Sequence, residues 1–323
     1  MADKAMKRAG LLVNPSSGKS SGKGLALHEM LQAVPAVSTC LIDRFEQLPD
    51  VLKKFAAEGV TDLFISSGDG TIQAVQTELA ERRLFKTAPR LALLPHGTTN
   101  MTAADLGLRR RSVQAQAEFI KSLEITDLRQ RPTLRITNPG DSKPRHGMFL
   151  GTGAAAEAIL YCQRVYNARN VKGDWATFAT LVTTLGRALL TKPNPADKSR
   201  IDRAYPIEVI SEETQRCSGM QLLMFSTTLD KLILGSRPFW AGKTAAIRTS
   251  ILPYPVPSIP RWLLPIMYGG ENRSTPKGAL SFSSNSLEVT SSTSFVIDGE
   301  FFAARSDEPL RVETGHVFNY ICG

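Results

Sequence analysis

The sequence predicts an α/β protein of two domains, with an N-terminal doubly wound α/β domain and a C-terminal antiparallel β-sandwich-like domain. Three observations carry this. The 323 residues suffice for two domains. The first 130 residues alternate strand-like runs with helix-spaced segments across short connections, the pattern of a parallel sheet covered on both faces. From residue 131 strand-like stretches follow one another with turn residues between them, as in an antiparallel sandwich. The expected domains are therefore 1–130, to which the C-terminal residues can return, and 131–323.

In chain order, "AGLLVNP" reads as a buried strand ending in a turn, and "GLALHEMLQAV" has helical spacing. "VSTCLID" is a second strand, followed by the helix "LPDVLKKFAAEGV", closed by Gly59. "TDLFISSGDG" is a third strand, "TIQAVQTELAERRLF" a helix and "RLALLPHGTTN" a fourth strand. In the second domain "PTLRITN", "RHGMFLGTG", "YPIEVISE", "MQLLMFSTT", "AAIRTSIL", "LEVTSSTSFVIDGE" and "LRVETGHVFNYI" read as strands, with one helical insertion, "WATFATLVTTLGRALL".

Composition narrows the class. With 42% hydrophobic and 21% charged residues the chain is of ordinary globular type. The four cysteines, Cys40, Cys162, Cys217 and Cys322, form no CxxC pair and read as free thiols of a reducing compartment. Four histidines without a Cys/His cluster argue against zinc. The N-terminus lacks the apolar core of a signal peptide. The most apolar segment, 251–268, carries five prolines and Arg261, which a spanning helix does not tolerate. The net charge of +9 implies an anionic partner: a phosphorylated substrate, an anionic membrane surface or nucleic acid.

Three loops at successive strand ends carry the chemistry, and in a doubly wound sheet ligands bind at the carboxyl ends of strands. In "NPSSGKSSGKG", residues 14–24, Ser16 and Gly18 bring hydroxyl and backbone N–H groups suited to phosphate. Its spacing is one residue short of a P-loop. In "SSGDGT", Ser67, Gly68 and Gly70 let a triphosphate approach, and Thr71 begins a helix whose dipole favours anions. Asp69 between them can orient magnesium or accept a proton in phosphoryl transfer. "PHGTTN" repeats the design with Gly97, Thr98, Thr99 and Asn100.

These loops, with "VIDGE" at 296–300, resemble the diacylglycerol kinase catalytic-domain family, which includes sphingosine, ceramide and bacterial lipid kinases. "LLVNPSSGKSSGKG" is similar to the family's opening loop, "SGDGTIQAV" to its GGDGT loop with Ser67 for the first glycine, and "LLPHGTTNMTAADLG" to its P-x-G-T-x-N segment. The resemblance implies catalysis in a cleft between a nucleotide domain and a β-sandwich, with ATP and Mg2+ as cofactors. Asn14, Gly68, Asp69, Gly70, Thr71 and Thr98 would bind ATP. Either Asp69 or Glu300 would be the base, as sphingosine kinases and bacterial members respectively imply; Asp69 would also meet the metal of Mg-ATP. Met101 and Thr102 replace the family's Asp-Phe, and "FWAGKTAAIR" lacks the acid of its structural magnesium site. The SGDG variant brings ceramide or a sphingoid base forward beside diacylglycerol.

The expected partner is a membrane lipid, at an anionic membrane surface reached from the cytoplasm by peripheral association; a homodimer is left open. Trp262, Leu263 and Leu264 in segment 251–268 are the expected membrane contact, where Trp and Tyr rings are favoured; a buried connector between sandwich strands is the other reading. A kinase of a soluble acceptor, like NAD kinases, is the alternative function. Nucleic-acid binding rests only on the charge and on "RRR" at 109–111, without interleaved aromatics or a helix-turn-helix, and is not expected.

Overall fold

The computed structural model describes residues 7–17, 22–97, 100–110, 112–160, 203–212, 214–256, 261, 265–270, 273–305 and 308–323. The chain divides into two compact units, Met1–Arg131 with Val317–Gly323, and Pro132–His316.

The first unit is built on β1 (Ala9–Val13), α1 (Lys23–Leu31), β2 (Val37–Leu41), α2 (Leu48–Ala57), β3 (Asp62–Ser67), α3 (Asp69–Arg82), β4 (Arg90–Pro95), α4 (Met101–Leu106) and α5 (Val113–Ser122). The strands run parallel in the order β4-β3-β1-β2, with Leu11 opposite both Thr39 and Phe64, and Phe64 opposite Ala92. The end of the last strand adds itself beside β4, Tyr320 facing Leu91 in parallel. Every residue of β1 and β3 is buried, as a sheet with two covered faces requires. Because side chains alternate across a strand, Leu11, Val13, Phe64, Ala92 and Leu94 share one face, where they pack with α1 (Leu27, Leu31) and α5 (Ala117, Phe119, Ile120). Leu12, Leu63, Ile65 and Leu93 are left to the opposite face, and α2 and α3 bury Leu52, Phe55, Ile72 and Val75.

The second unit holds β5 (Leu128–Thr137) from its residue 132 onward, β6 (Arg145–Gly147), β7 (Phe149–Gly153), β8 (Tyr205–Ser211), β9 (Thr214–Cys217), β10 (Met220–Thr227), β11 (Ile247–Pro253), β12 (Leu280–Ser284), β13 (Ser286–Ser291), β14 (Phe295–Ile297), β15 (Glu300–Phe302) and most of β16 (Leu310–Ile321). One run of paired strands is β15-β14-β7-β10-β11-β12, another β9-β8-β13-β16-β5-β6, joined where Met220 of β10 faces Pro206 of β8. A single core fills this sandwich, with Leu150, Met224, Ile251, Phe295 and Ile297 from the first run and Ile136, Ile207, Val289 and Val312 from the second.

The mixed fold class agrees with the sequence pattern, but several elements differ. "RHGMFLGTG" is two strands broken at Met148, and "LEVTSSTSFVIDGE" divides into β13, β14 and the first residue of β15. α4, α5, β9 and β12 have no counterpart among the elements read from the sequence. In the segment 251–268, Ile251 and Leu252 are the buried end of β11, 2% and 4% exposed, so its first residues are core rather than membrane contact. The expected helix 175–190 lies outside the described residues. Among the described residues no helix is long and apolar enough to cross a membrane.

Candidate active site

Since β1, β3 and β4 are adjacent in the sheet, the loops leaving their carboxyl ends are neighbours. Asn14, after β1, ties the first to the second: its Nδ2 donates to Thr71 Oγ1 at 3.0 Å. Its Oδ1 accepts from Ser16 N–H at 3.0 Å and its carbonyl from Ser17 N–H at 3.1 Å, which folds the loop back on itself.

The second and third loops meet backbone to backbone. A Cβ placed on Gly97 would lie 2.3 Å from Gly68 Cα and 2.8 Å from Gly68 N; one on Gly68 would lie 3.0 Å from Ser17 Oγ. The close approach that Gly68 and Gly97 permit is thus first of all that of one loop to the other. Asn100, at φ 50°, pins the third loop by accepting from Gly97 N–H and donating to the Gly97 carbonyl, each at 2.8 Å.

Asp69 has a packing role as well: it is only 8% exposed and both carboxylate oxygens are engaged. Oδ2 accepts from Met101 N–H and Oδ1 from Thr102 N–H, each at 2.9 Å. Asp69 therefore caps α4, a helix whose own N-cap residue, Asn100, is turned to Gly97. Burial raises the Asp69 pKa, against the lowering by these hydrogen bonds. The helix it opens, α3, also begins two residues before the expected Thr71, with Gly68 as its N-cap.

Of the other expected residues, Ser67 is buried, its hydroxyl without a hydrogen-bond partner. Gly70 and Thr71 lie in the first turn of α3. Gly18, Thr98, Trp262, Leu263 and Leu264 lie outside the described residues. Glu300 is in the second unit, exposed at the first position of β15.

His96, which sequence reasoning missed, is 5% exposed beneath the third loop, its Nδ1 2.8 Å from Ser66 Oγ. Burial, then the charge of Lys23, push its pKa down to about 4, with the Gln116 side chain acting in the opposite direction. The unfolded chain, with an ordinary histidine value near 6.5, takes up this proton first as pH falls. The stability contribution is complete above about pH 6.5 and is lost as pH falls toward 4. The loss should approach about 3 kcal/mol. Denaturant unfolding at pH 7 and pH 4.5 checks this: His96→Gln should lose distinctly less stability between the two than the wild type, and equal losses would reject it.

Among the described residues no side chain caps α1 at Gly22 or α3 at Gly68, and the first-turn N–H groups of a helix suit an anion. This fits the phosphates of a nucleotide. Among the described residues no three His, Cys, Asp or Glu side chains gather as a metal site, and each Asp69 oxygen is already engaged. A magnesium ion would enter here with the phosphates of ATP.

Residues 8–129 match the diacylglycerol kinase catalytic domain. The matched region carries all three loops. The whole chain resembles a crystal structure described as a diacylglycerol kinase from Bacillus anthracis strain Sterne, with a TM-score of 0.66 at 15% identity, covering 99% of each chain. A second structure from that strain, described as a candidate diacylglycerol kinase, gives a TM-score of 0.64 at 15% identity, covering 100% of this chain and 98% of its own. At such identity the likeness is one of fold. No curated protein shows significant similarity to the chain.

Proposed function

We propose that the chain is an ATP-dependent lipid kinase that transfers the γ-phosphate to the primary hydroxyl of a membrane lipid of ceramide, sphingoid or diacylglycerol type. The observation that carries the reading is the set of three interlocked loops, within the region that matches the diacylglycerol kinase catalytic domain, at the ends of β1, β3 and β4. Asn14, Gly68, Gly70, Thr71, Gly97 and Asn100 shape these loops; Ser16, Gly18, Ser67 and Thr98 complete the proposed nucleotide set. Backbone N–H groups of these loops would bind the phosphates and stabilise the transferring phosphoryl group. Bound magnesium would supply further charge neutralisation.

The lipid oxygen forms the new bond to the γ-phosphorus as the bond to the ADP oxygen breaks, and the hydroxyl proton passes to a carboxylate. Glu300, exposed, is the proposed base; Asp69, with both oxygens engaged, is the second candidate. Labelled ATP with diacylglycerol, monoacylglycerol, ceramide and sphingosine, and with NAD as a soluble acceptor, tests the proposal. A phosphorylated lipid is expected; label in NAD alone, or in nothing, rejects it.

The lipid must be reached at its membrane, and a peripheral role on an anionic surface, from the cytoplasm, is part of this proposal. Trp262, Leu263 and Leu264 are its proposed contacts. Burial of apolar area at about 25 cal/mol per Å² gives three such side chains several kcal/mol of attachment. Replacing all three by serine should weaken binding to vesicles containing phosphatidylserine at least tenfold with an unchanged melting temperature. A large fall in melting temperature with unchanged vesicle affinity would assign them to the core instead.

A further inference from the structure

The hairpin of β14 and β15 turns on Asp298 and Gly299, both at positive φ, 47° and 90°. This is the type I′ geometry that Asp-Gly favours. The turn itself asks nothing of a buried carboxylate, yet Asp298 is 2% exposed. Its Oδ2 accepts from Met148 N–H at 2.8 Å and its Oδ1 from Phe149 N–H at 2.9 Å. Its own N–H donates to the Phe149 carbonyl at 3.1 Å. The seat is closely fitted, since a Cβ on Gly147 would lie 2.7 Å from Asp298 Oδ2 and 2.4 Å from Ile297 Cγ2. Three hydrogen bonds, to Met148 and to Phe149 at the start of β7, thus hold a turn whose next residue is Glu300.

We infer that Asp298 is a positioning residue for Glu300, fixing the exposed carboxylate by clamping its hairpin to Met148 and Phe149. The inference rests on the proposed kinase reading, in which Glu300 takes the proton of the acceptor. The device is the one Asp69 uses on α4: an aspartate beside a glycine grips two successive N–H groups of a distant segment. Asparagine can accept at only one atom. In Asp298→Asn one of the two N–H groups therefore faces an amide donor, the turn loses an anchor, and Glu300 loses its fixed position while keeping its charge.

The test compares wild type, Asp298→Asn, Glu300→Gln and the double variant by steady-state kinetics on the accepted lipid and by amide hydrogen exchange. Exchange at Met148 and Phe149 should quicken at least tenfold in Asp298→Asn. Its kcat should fall at least tenfold with KM for ATP within twofold of wild type. The double variant should be no slower than Glu300→Gln alone, since residues acting as one unit are not additive. Losses that multiply in the double variant, or unchanged exchange at the two amides, would overturn the inference. If Asp298→Asn does not fold, Gly299→Ala strains the same turn, with open space around the new Cβ, and must show the same non-additivity. If the wild type phosphorylates no lipid, the kinase reading falls on its own. Exchange at Glu300 and Phe301 in the variant then decides the positioning, faster exchange upholding it and unchanged exchange rejecting it.

Discussion

Asp69→Asn should lose at least a hundredfold in kcat/KM for ATP and should also melt about 5 °C lower. A mutation of a purely chemical group would lower activity alone, but the Asp69 carboxylate holds the N–H groups of Met101 and Thr102. An amide in its place can accept from one of them and must turn a donor toward the other. A buried donor left unmatched costs about 1–3 kcal/mol, and in a protein of this size each kcal/mol moves the melting temperature by roughly 2–4 °C. Loosening α4 releases the Gly97–Asn100 turn, and misplacement of a binding loop by about 1 Å can cost a hundredfold in rate. Calorimetry, hydrogen exchange at Met101 and Thr102, and kinetics on one set of samples check this. An unchanged melting temperature with lost activity would return Asp69 to a purely chemical role. A kcat/KM within a factor of ten of wild type would remove it from the site altogether.

The parts of the fold legible in the sequence are those set by local pattern. β1, β3 and β4 carry apolar residues on both faces, Leu63–Ile65 in β3 and Leu91–Leu94 in β4, because both faces are covered, and α1 to α3 follow at helical spacing. α5 was missed although its signals are local: Ser112 caps it by accepting from Ala115 N–H, and Gln116, Ala117 and Ile120 form its buried side. α4 was not readable, since its six residues are short and its cap comes from Asp69, over thirty residues earlier in the chain. The same holds for the site. The glycines and Asp69 stand out by type and spacing, but what they touch is set by the register of neighbouring strands. His96 depends on Ser66 from β3, and Asp298 on two amides some 150 residues away. Asp-Gly in "VIDGE" does announce a hairpin turn, which is why the long strand read there divides.

Gly97→Ala should be as damaging as any substitution in the nucleotide loops, although it adds one methyl group at a partly exposed position. The new Cβ would lie 2.3 Å from Gly68 Cα, 2.8 Å from Gly68 N and 3.0 Å from Asn100 Oδ1. The first two are backbone atoms, so no change of rotamer relieves the overlap. The loops after β3 and β4 must move apart by about 1 Å, enough to cost roughly a hundredfold in kcat/KM for ATP. Overpacking of this kind also costs about 1–3 kcal/mol of stability. Gly59→Ala supplies the contrast. Gly59 ends α2 at φ 73° with nothing within 4 Å of an added Cβ, so alanine there meets left-handed backbone strain of roughly 1–2 kcal/mol without touching a loop. The two variants should therefore show comparable falls in melting temperature, while only Gly97→Ala loses ATP-dependent turnover. Equal turnover in the two would mean that the contact between Gly68 and Gly97 does not shape the nucleotide site.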